Sequence, residues 1–259
     1  MAESECFLVV YKPPRMHSAP LKGGAGDTLL DWCAGTYPEV SGVRGKLERE
    51  GGLLHRLDYE TRGLVLVART QEAFEALEEQ QKQGNFVKEY GALTSSIFRT
   101  PLTGFPPMES PDIASRRVPF TVESAFRPYG PGRKAVRPAL SKELAKKPGG
   151  ETARDRGNPY KTEIVELNSP VSAASLTYLG IRIIRGFRHQ IRCHLAWLGH
   201  PILNDVLYGG IGELGDTDHY LELKSQGLSF KDPLSGETRC YRIPPIHEEL
   251  GPLGFHGSL

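Results

Sequence analysis

An α+β fold is predicted for this 259-residue chain, and three observations predict it. Short, continuous apolar runs such as Phe7 to Tyr11 and Leu64 to Ala68 read as buried strands. A capped amphipathic stretch from Gln71 to Gln83 follows the second run and leads into a third strand, Phe86 to Thr94. Strand, helix and strand at this spacing admit an α/β or an α+β sheet with helices on one face. Later, Lys161 to Leu167, Ala174 to Leu179 and Gly180 to Arg185 alternate polar and apolar residues, as an antiparallel meander exposed on one side does.

The elements run in order from the N-terminus. Lys12-Pro13-Pro14 ends the first strand, because two prolines cannot continue a ladder. A glycine-rich loop, Lys22 to Asp27, precedes a short helix from Thr28 to Tyr37 with Asp27 as its expected N-cap. Thr70 is placed to cap the helix that starts at Gln71, with Ala73, Phe74, Leu77 and Gln81 along one face and Gly84 as its stop. Residues 99–160 hold many prolines and little periodicity, so Thr100 to Pro111 and Pro128 to Gly157 are expected to be irregular. Gln190 to Leu198 reads as a helix closed by Gly199. Two last strands are expected near Leu228 to Phe230 and Arg239 to Ile243.

Composition excludes several classes. With 39% apolar and 24% charged residues the chain is globular, and its apolar runs are too short to cross a bilayer. The start, Met1-Ala2-Glu3-Ser4-Glu5, has neither the basic region nor the apolar stretch of a signal peptide, so a cytoplasmic location with no membrane association is expected. Cys6, Cys33, Cys193 and Cys240 are widely spaced and read as reduced thiols. The net charge is only +1, but its distribution is uneven. Leu179 to His194 contains Arg182, Arg185, Arg188 and Arg192 and no acid, and Arg133 to Arg156 carries eight Lys/Arg against three Asp/Glu. One anion-binding side is implied, although a solvated loop explains the second cluster equally well.

No P-loop, G-x-G-x-x-G or G-x-S-x-G is present. His189 and His194 are five residues apart, on different faces of a helix, and no H-E-x-x-H occurs, so no metal site is expected. No cofactor fingerprint is found. Three separated elements remain. Asp58 lies in His55-Arg56-Leu57-Asp58-Tyr59-Glu60-Thr61-Arg62-Gly63-Leu64, a polar turn feeding an apolar strand, where a carboxylate among arginines can act as a nucleophile. Tyr90 lies in Lys88-Glu89-Tyr90-Gly91-Ala92-Leu93; taken alone it is an ordinary sheet aromatic. The third element is Arg188-His189-Gln190-Ile191-Arg192-Cys193-His194-Leu195, in which His189 and Gln190 alone would only tie the helix start to backbone.

Together these elements resemble the RluA-type RNA pseudouridine synthases. Val10 to Pro14 is similar to that family's N-K-P-x-G strand end, and His55 to Leu64 to its H-R-L-D-x-x-T-[S]-G-L motif. Lys88 to Leu93 is similar to its K-x-Y-x-A-L strand. Arg188 to Leu195 is similar to its H-Q-I-R-x-H-L segment. Leu198-Gly199-His200-Pro201-Ile202 with Asp205-Val206-Leu207-Tyr208-Gly209 is similar to its L-G-H-P-I-x-x-D-x-x-Y-G stretch. The resemblance implies the pseudouridine synthase fold: a mixed, largely antiparallel central sheet in two halves, flanked by helices and loops. It also implies one catalytic domain over residues 1–259, interrupted by a long basic and proline-rich insertion at 99–160. The small RNA-binding domain that often precedes the catalytic one is not expected ahead of the first strand, which begins near Phe7.

The activity implied is isomerisation of specific uridines in rRNA or tRNA to pseudouridine, with RNA as the partner, no cofactor, and a monomeric enzyme. Asp58 would attack the flipped nucleotide at the ribose 1′-carbon or the uracil 6-carbon, Arg192 would pair with Asp58, and Tyr90 would stack on the base. Arg56 would fill the gap left in the RNA stack, and Arg62, Arg188, His189 and Gln190 would contact RNA. Arg62 stands where the family shows serine, and the arginine at 188 is shifted by one place. The competing readings are an RNA-binding protein on the same fold without chemistry, and an aspartate-dependent hydrolase on another fold. The hydrolase would need a second carboxylate at a fixed distance. Within the insertion, Arg133, Lys134, Arg137, Lys142, Lys146 and Lys147 are expected to line an RNA approach.

Overall fold

The computed structural model describes residues 2–21, 24, 26–108, 113, 116–140, 159–168, 176–210 and 220–249. The chain forms two compact units, Met1–Tyr90 with Lys224–Pro245, and Gly91–Leu223 with Ile246–Leu259.

In the first unit, strands β1 (Ala2–Glu3) and β2 (Phe7–Lys12) lead to helix α1 (Leu29–Thr36) and a single turn, α2 (Glu39–Gly42). Strand β3 (Arg62–Ala68) and helix α3 (Gln71–Gln83) come next, and strand β4 (Val87–Ser95) carries the chain into the second unit. β2 pairs antiparallel with β3, Phe7 opposite Ala68 and Lys12 opposite Gly63. Every residue of β3 is buried, which explains its unbroken apolar run. Phe7, Leu66, Phe74, Leu77 and Phe86 form the core with Leu228 and Phe230. Their rings meet edge-on, Phe7 and Phe230 at 5.1 Å. α3 matches its expected bounds: the Thr70 side chain accepts from the Ala73 N–H, and Gly84 closes the helix in the left-handed region. α1 is capped by Thr28 and not by Asp27. Thr28 Oγ1 accepts from the Asp31 N–H while the Asp31 carboxylate receives the Thr28 N–H, a reciprocal box that leaves Asp27 outside the helix.

In the second unit, β5 (Phe120–Tyr129) and β6 (Ala135–Ala139) pair antiparallel, β5 also pairs with β7 (Tyr160–Asn168), and β7 pairs with β8 (Leu176–Ile183). The β5–β6 hairpin lies inside the stretch expected to be irregular. Pro128 and Pro138 hid it, because strands with proline look broken in sequence, yet Pro138 is accommodated in the outer strand of the order β8-β7-β5-β6. The Gly180 break expected between two strands is instead interior to β8. It faces Glu166 beside a register shift, and a Cβ at Gly180 would come within 2.8 Å of the Glu166 Cβ. Helix α4 (Gln190–Trp197) is buried along its whole length. From Lys224 the chain is back in the first unit, where β9 (Leu223–Lys231) and β10 (Thr238–Arg242) are antiparallel and β9 runs parallel to β3 through Arg62–Lys224 and Gly63–Ser225. No helix among the described residues is long and apolar enough to cross a membrane.

Candidate active site

In the first unit the site is built on the turn between Leu54 and β3. Asp58 is half-buried, and its carbonyl accepts from the Thr61 N–H at 3.1 Å, closing a tight turn. The residue before it is gripped twice: Ser18 Oγ donates to the Leu57 carbonyl at 2.9 Å and accepts from the Leu57 N–H at 3.0 Å. The residue after it is held through its carbonyl, which accepts from Lys12 Nζ at 3.3 Å. The buried His55 ring accepts from the Leu66 N–H through Nε2 and packs edge-on against Phe86 at 5.5 Å. Burial holds that imidazole well below the usual histidine range, so it stays neutral.

Tyr90, the last residue of the unit's first segment, is 6% exposed. Burial pushes its phenol well up, the negative charge of Asp58 adds to that, and a hydrogen bond with Ser225 offsets part of it. The phenol therefore remains protonated across any working pH, and it feels the Asp58 charge directly. Ser225 in turn donates to the Leu64 carbonyl at 2.9 Å, locking this side of the site to β3. Gly63, at φ +120°, permits the close crossing: a Cβ there would fall 2.1 Å from the Ser225 carbonyl oxygen. Arg62 opens β3 and is buried, opposite the equally buried Lys224. Arg56 is half-exposed and pairs at 2.8 Å with Glu50, whose carboxylate is almost fully buried.

In the second unit Arg192 lies on α4. Its Nε and Nη2 donate to the two Asp205 oxygens at 2.8 and 2.7 Å, a bidentate pair with a fully buried carboxylate. The Tyr208 ring lies 5.4 Å from the guanidinium carbon. The Tyr208 hydroxyl accepts from the Val136 N–H and donates to the Val136 carbonyl, which fixes the 205–210 turn to β6. Gly210 allows that turn to close, since a Cβ there would fall 1.8 Å from the Ile202 carbonyl oxygen. His189 starts α4 at φ +55°, with Nδ1 3.3 Å from the Tyr208 hydroxyl. Gln190 is buried. Its carbonyl accepts from the Phe187 N–H and its amide donates to the Lys161 carbonyl and Thr162 Oγ1. That is the backbone-tying role, which turns the amide inward. Arg188 is exposed, and its Nη2 donates to the Arg133 and Ala135 carbonyls, bracing the β5–β6 turn. His194 is held by Ser124 and Thr162, and burial pushes its pKa down to about 3, so it is a neutral core residue.

Asp58 and Tyr90 thus share one electrostatic environment, together with Lys12 and Ser225. Arg192, Arg188, His189 and Gln190 cluster in the second unit. Sequence reasoning gave no role to Lys12, Ser18, Asp205 or Ser225. A lysine inside an otherwise apolar strand end, and an acid four residues after the His200-Pro201 turn and three before Tyr208, were the available signals.

Fold and geometry define an α+β protein in which a carboxylate on a turn held through its backbone acts by its charge on a buried, protonated phenol. The model of the RNA pseudouridylate synthase family matches residues 6–197, and the chain belongs to that family. An uncharacterized RNA pseudouridine synthase of Helicobacter pylori strain J99 is 28% identical over 250 residues, covering 96% of this chain and 66% of that protein. A ribosomal large subunit pseudouridine synthase D of Buchnera aphidicola is 25% identical over 210 residues, covering 81% of this chain and 53% of that protein. The chain therefore spans 53% to 66% of the length of these two relatives. Two solved structures share the fold. Human RNA Pseudouridylate Synthase Domain Containing 1 has a TM-score of 0.61 at 23% identity, covering 94% of this chain and 81% of that one. Human RNA Pseudouridylate Synthase Domain Containing 4 has a TM-score of 0.63 at 19% identity, covering 97% and 91%.

Proposed function

We propose that this protein isomerises uridines in structured RNA to pseudouridine, acting as a single-chain, cofactor-free cytoplasmic enzyme over one catalytic domain. The observation that carries the reading is the Asp58 turn, gripped on both sides, whose charge acts on the Tyr90 phenol, in a chain of this family. The uracil N1–C1′ bond breaks, a C5–C1′ bond forms, the hydrogen at C5 leaves as a proton and N1 gains one, so no redox partner is needed. Asp58 is the nucleophile, at C1′ or at C6. Arg192 pairs with Asp58, its guanidinium plane set by Asp205. Tyr90 stacks on the base and, being protonated, can donate a proton rather than begin as a base.

Arg56 is the wedge that enters the stack as the nucleotide flips, offsetting part of the few kcal/mol that unstacking costs. Its anchor on Glu50 presents it in a fixed direction. Arg62, Arg188 and His189 lie around the RNA path. Arg188 acts by bracing the hairpin turn that displays Arg133 and Lys134, both exposed. Lys142, Lys146 and Lys147, in the same expected approach, lie outside the described residues. Arg133→Glu with Lys134→Glu should reduce the slope of log K against log salt by about 1 to 2, with weakened binding to all RNA sequences alike. An unchanged slope would remove this hairpin from the RNA path.

The name of the Buchnera relative supports large-subunit rRNA as the first substrate to try. The test is incubation with unmodified rRNA and tRNA transcripts, followed by nucleoside analysis. Appearance of pseudouridine is expected. No conversion of either RNA would contradict the proposal.

A further inference from the structure

We propose that the groove between the β5–β6 turn and Leu207 is a subsite for one unpaired base of the RNA substrate, other than the target uridine. The proposal rests on the reading of the protein as RNA-directed. The groove has a volume of about 410 Å³ and lies wholly in the second unit, among Tyr129, Gly130, Gly132, Lys134, Ala135 and Leu207. Pockets that take small ligands span ~300–1,000 Å³. Its walls are mostly apolar, yet its rim is cationic. From Ala125 to Leu140 the chain carries Arg127, Arg133, Lys134 and Arg137 and no acid. Arg133 and Lys134 are exposed, and the exposed Arg188 reaches the Arg133 and Ala135 carbonyls from α4. An apolar slot under a rim of one sign matches a nucleotide, which joins a flat ring to an anionic phosphate.

The Tyr129 ring is the stacking face. Its hydroxyl donates to the Thr103 carbonyl at 2.7 Å, and its ring meets Phe105 edge-on at 5.4 Å. The ring is therefore set in one orientation before RNA arrives. A second wall is bare backbone. Gly130 and Gly132 have φ of +72° and +64°, and a Cβ at Gly130 would meet nothing within 4 Å. Leu207 adds a wall from a separate turn. It is exposed, and Val206 next to it is 91% exposed, so this turn presents two apolar side chains to solvent. The turn is nonetheless fixed, Tyr208 tying it to Val136 of β6 and Asp205 tying it to Arg192. Leu207 thus stands two residues from the carboxylate that sets the Arg192 plane. The lining offers no side-chain amide or carboxylate to read a base edge. The subsite therefore selects an unpaired nucleotide over a paired one, and not one base over another.

The experiment is equilibrium binding of the whole protein to two labelled probes of about ten nucleotides, a single-stranded oligoadenylate and an abasic ribose-phosphate strand of equal charge. Wild type should bind the oligoadenylate at least about tenfold more tightly than the abasic strand. Tyr129→Leu should weaken oligoadenylate binding about tenfold and leave the abasic strand within about twofold. Its slope of log K against log salt should match wild type, because stacking releases no counterions. Tyr129→Phe keeps the ring and should stay within about twofold of wild type on both probes. Pairing the oligoadenylate with oligouridylate should remove the difference between wild type and Tyr129→Leu. Equal binding of both probes by wild type, a Tyr129→Leu variant that binds like wild type, or a Tyr129 effect that persists on the duplex would overturn the proposal. Tyr129→Phe as weak as Tyr129→Leu would also overturn it, reducing Tyr129 to its bond with Thr103. If Tyr129→Leu fails to fold, the exposed Leu207→Asn decides: a loss of at least about threefold confined to oligoadenylate is expected, and wild-type affinity would overturn the proposal. Failure to form pseudouridine on any RNA, with this binding pattern intact, would overturn the enzymatic reading and leave the subsite standing.

Discussion

Asp58→Asn should abolish pseudouridine formation, with a fall in single-turnover rate of at least about 10⁴-fold. The amide is isosteric, and Ser18 and Lys12 go on holding the turn through the backbone groups of Leu57 and Tyr59. Melting temperature should therefore shift by no more than a few degrees. RNA affinity should stay within about threefold, since phosphate contacts dominate it. Rate measured under enzyme excess, beside an RNA-binding isotherm, checks all three. A variant that binds and folds normally but does not react places the loss in the chemistry. A variant retaining even a hundredth of the rate would require another nucleophile.

Asp205→Ala should be the most destabilising single change in the second unit. It removes both oxygens of a bidentate pair whose carboxylate is completely buried. Breaking such a pair from one side costs about 3 to 5 kcal/mol, because the remaining charge keeps its desolvation cost. For a chain of this size that is a drop of roughly 10 °C in melting temperature. Activity should fall with it, because the plane of Arg192 is no longer set. The two effects can be separated. Replacing both partners, as Arg192→Met with Asp205→Leu, removes the buried ion pair as a whole and should recover part of the stability. It should not recover activity if Arg192 serves Asp58. Thermal melts and rates on the two singles and the double form the cycle. A stable, active double variant would reduce Arg192 to a packing role.

The parts of the fold that sequence made legible are those where local chemistry and tertiary environment agree. Thr70, the apolar face of α3 and Gly84 all point to one helix, and it forms with those bounds. β3 is legible because an unbroken apolar run has few other places to go. The β5–β6 hairpin is not, because its prolines and arginines contradict the strand pattern and only pairing with β7 rescues it. Gly180 misleads for a related reason: it looks like a break, but its missing Cβ makes room for Glu166. At the site, Asp58 and Tyr90 stand out through their motifs. Lys12 and Asp205 do not, because each works through a partner distant in sequence, the Tyr59 carbonyl 47 residues away and Arg192 13 residues away. Gln190 shows the reverse. Its motif suggests an RNA contact, while its burial commits the amide to the backbone of β7.

Site-resolved mapping of pseudouridine tests the central claim most directly. Cellular RNA from a source lacking pseudouridine is incubated with wild type and, in parallel, with Asp58→Asn. One or a few new sites with wild type, all absent with Asp58→Asn, are the expected result. No new site in any rRNA or tRNA, or the same sites in both samples, would contradict it.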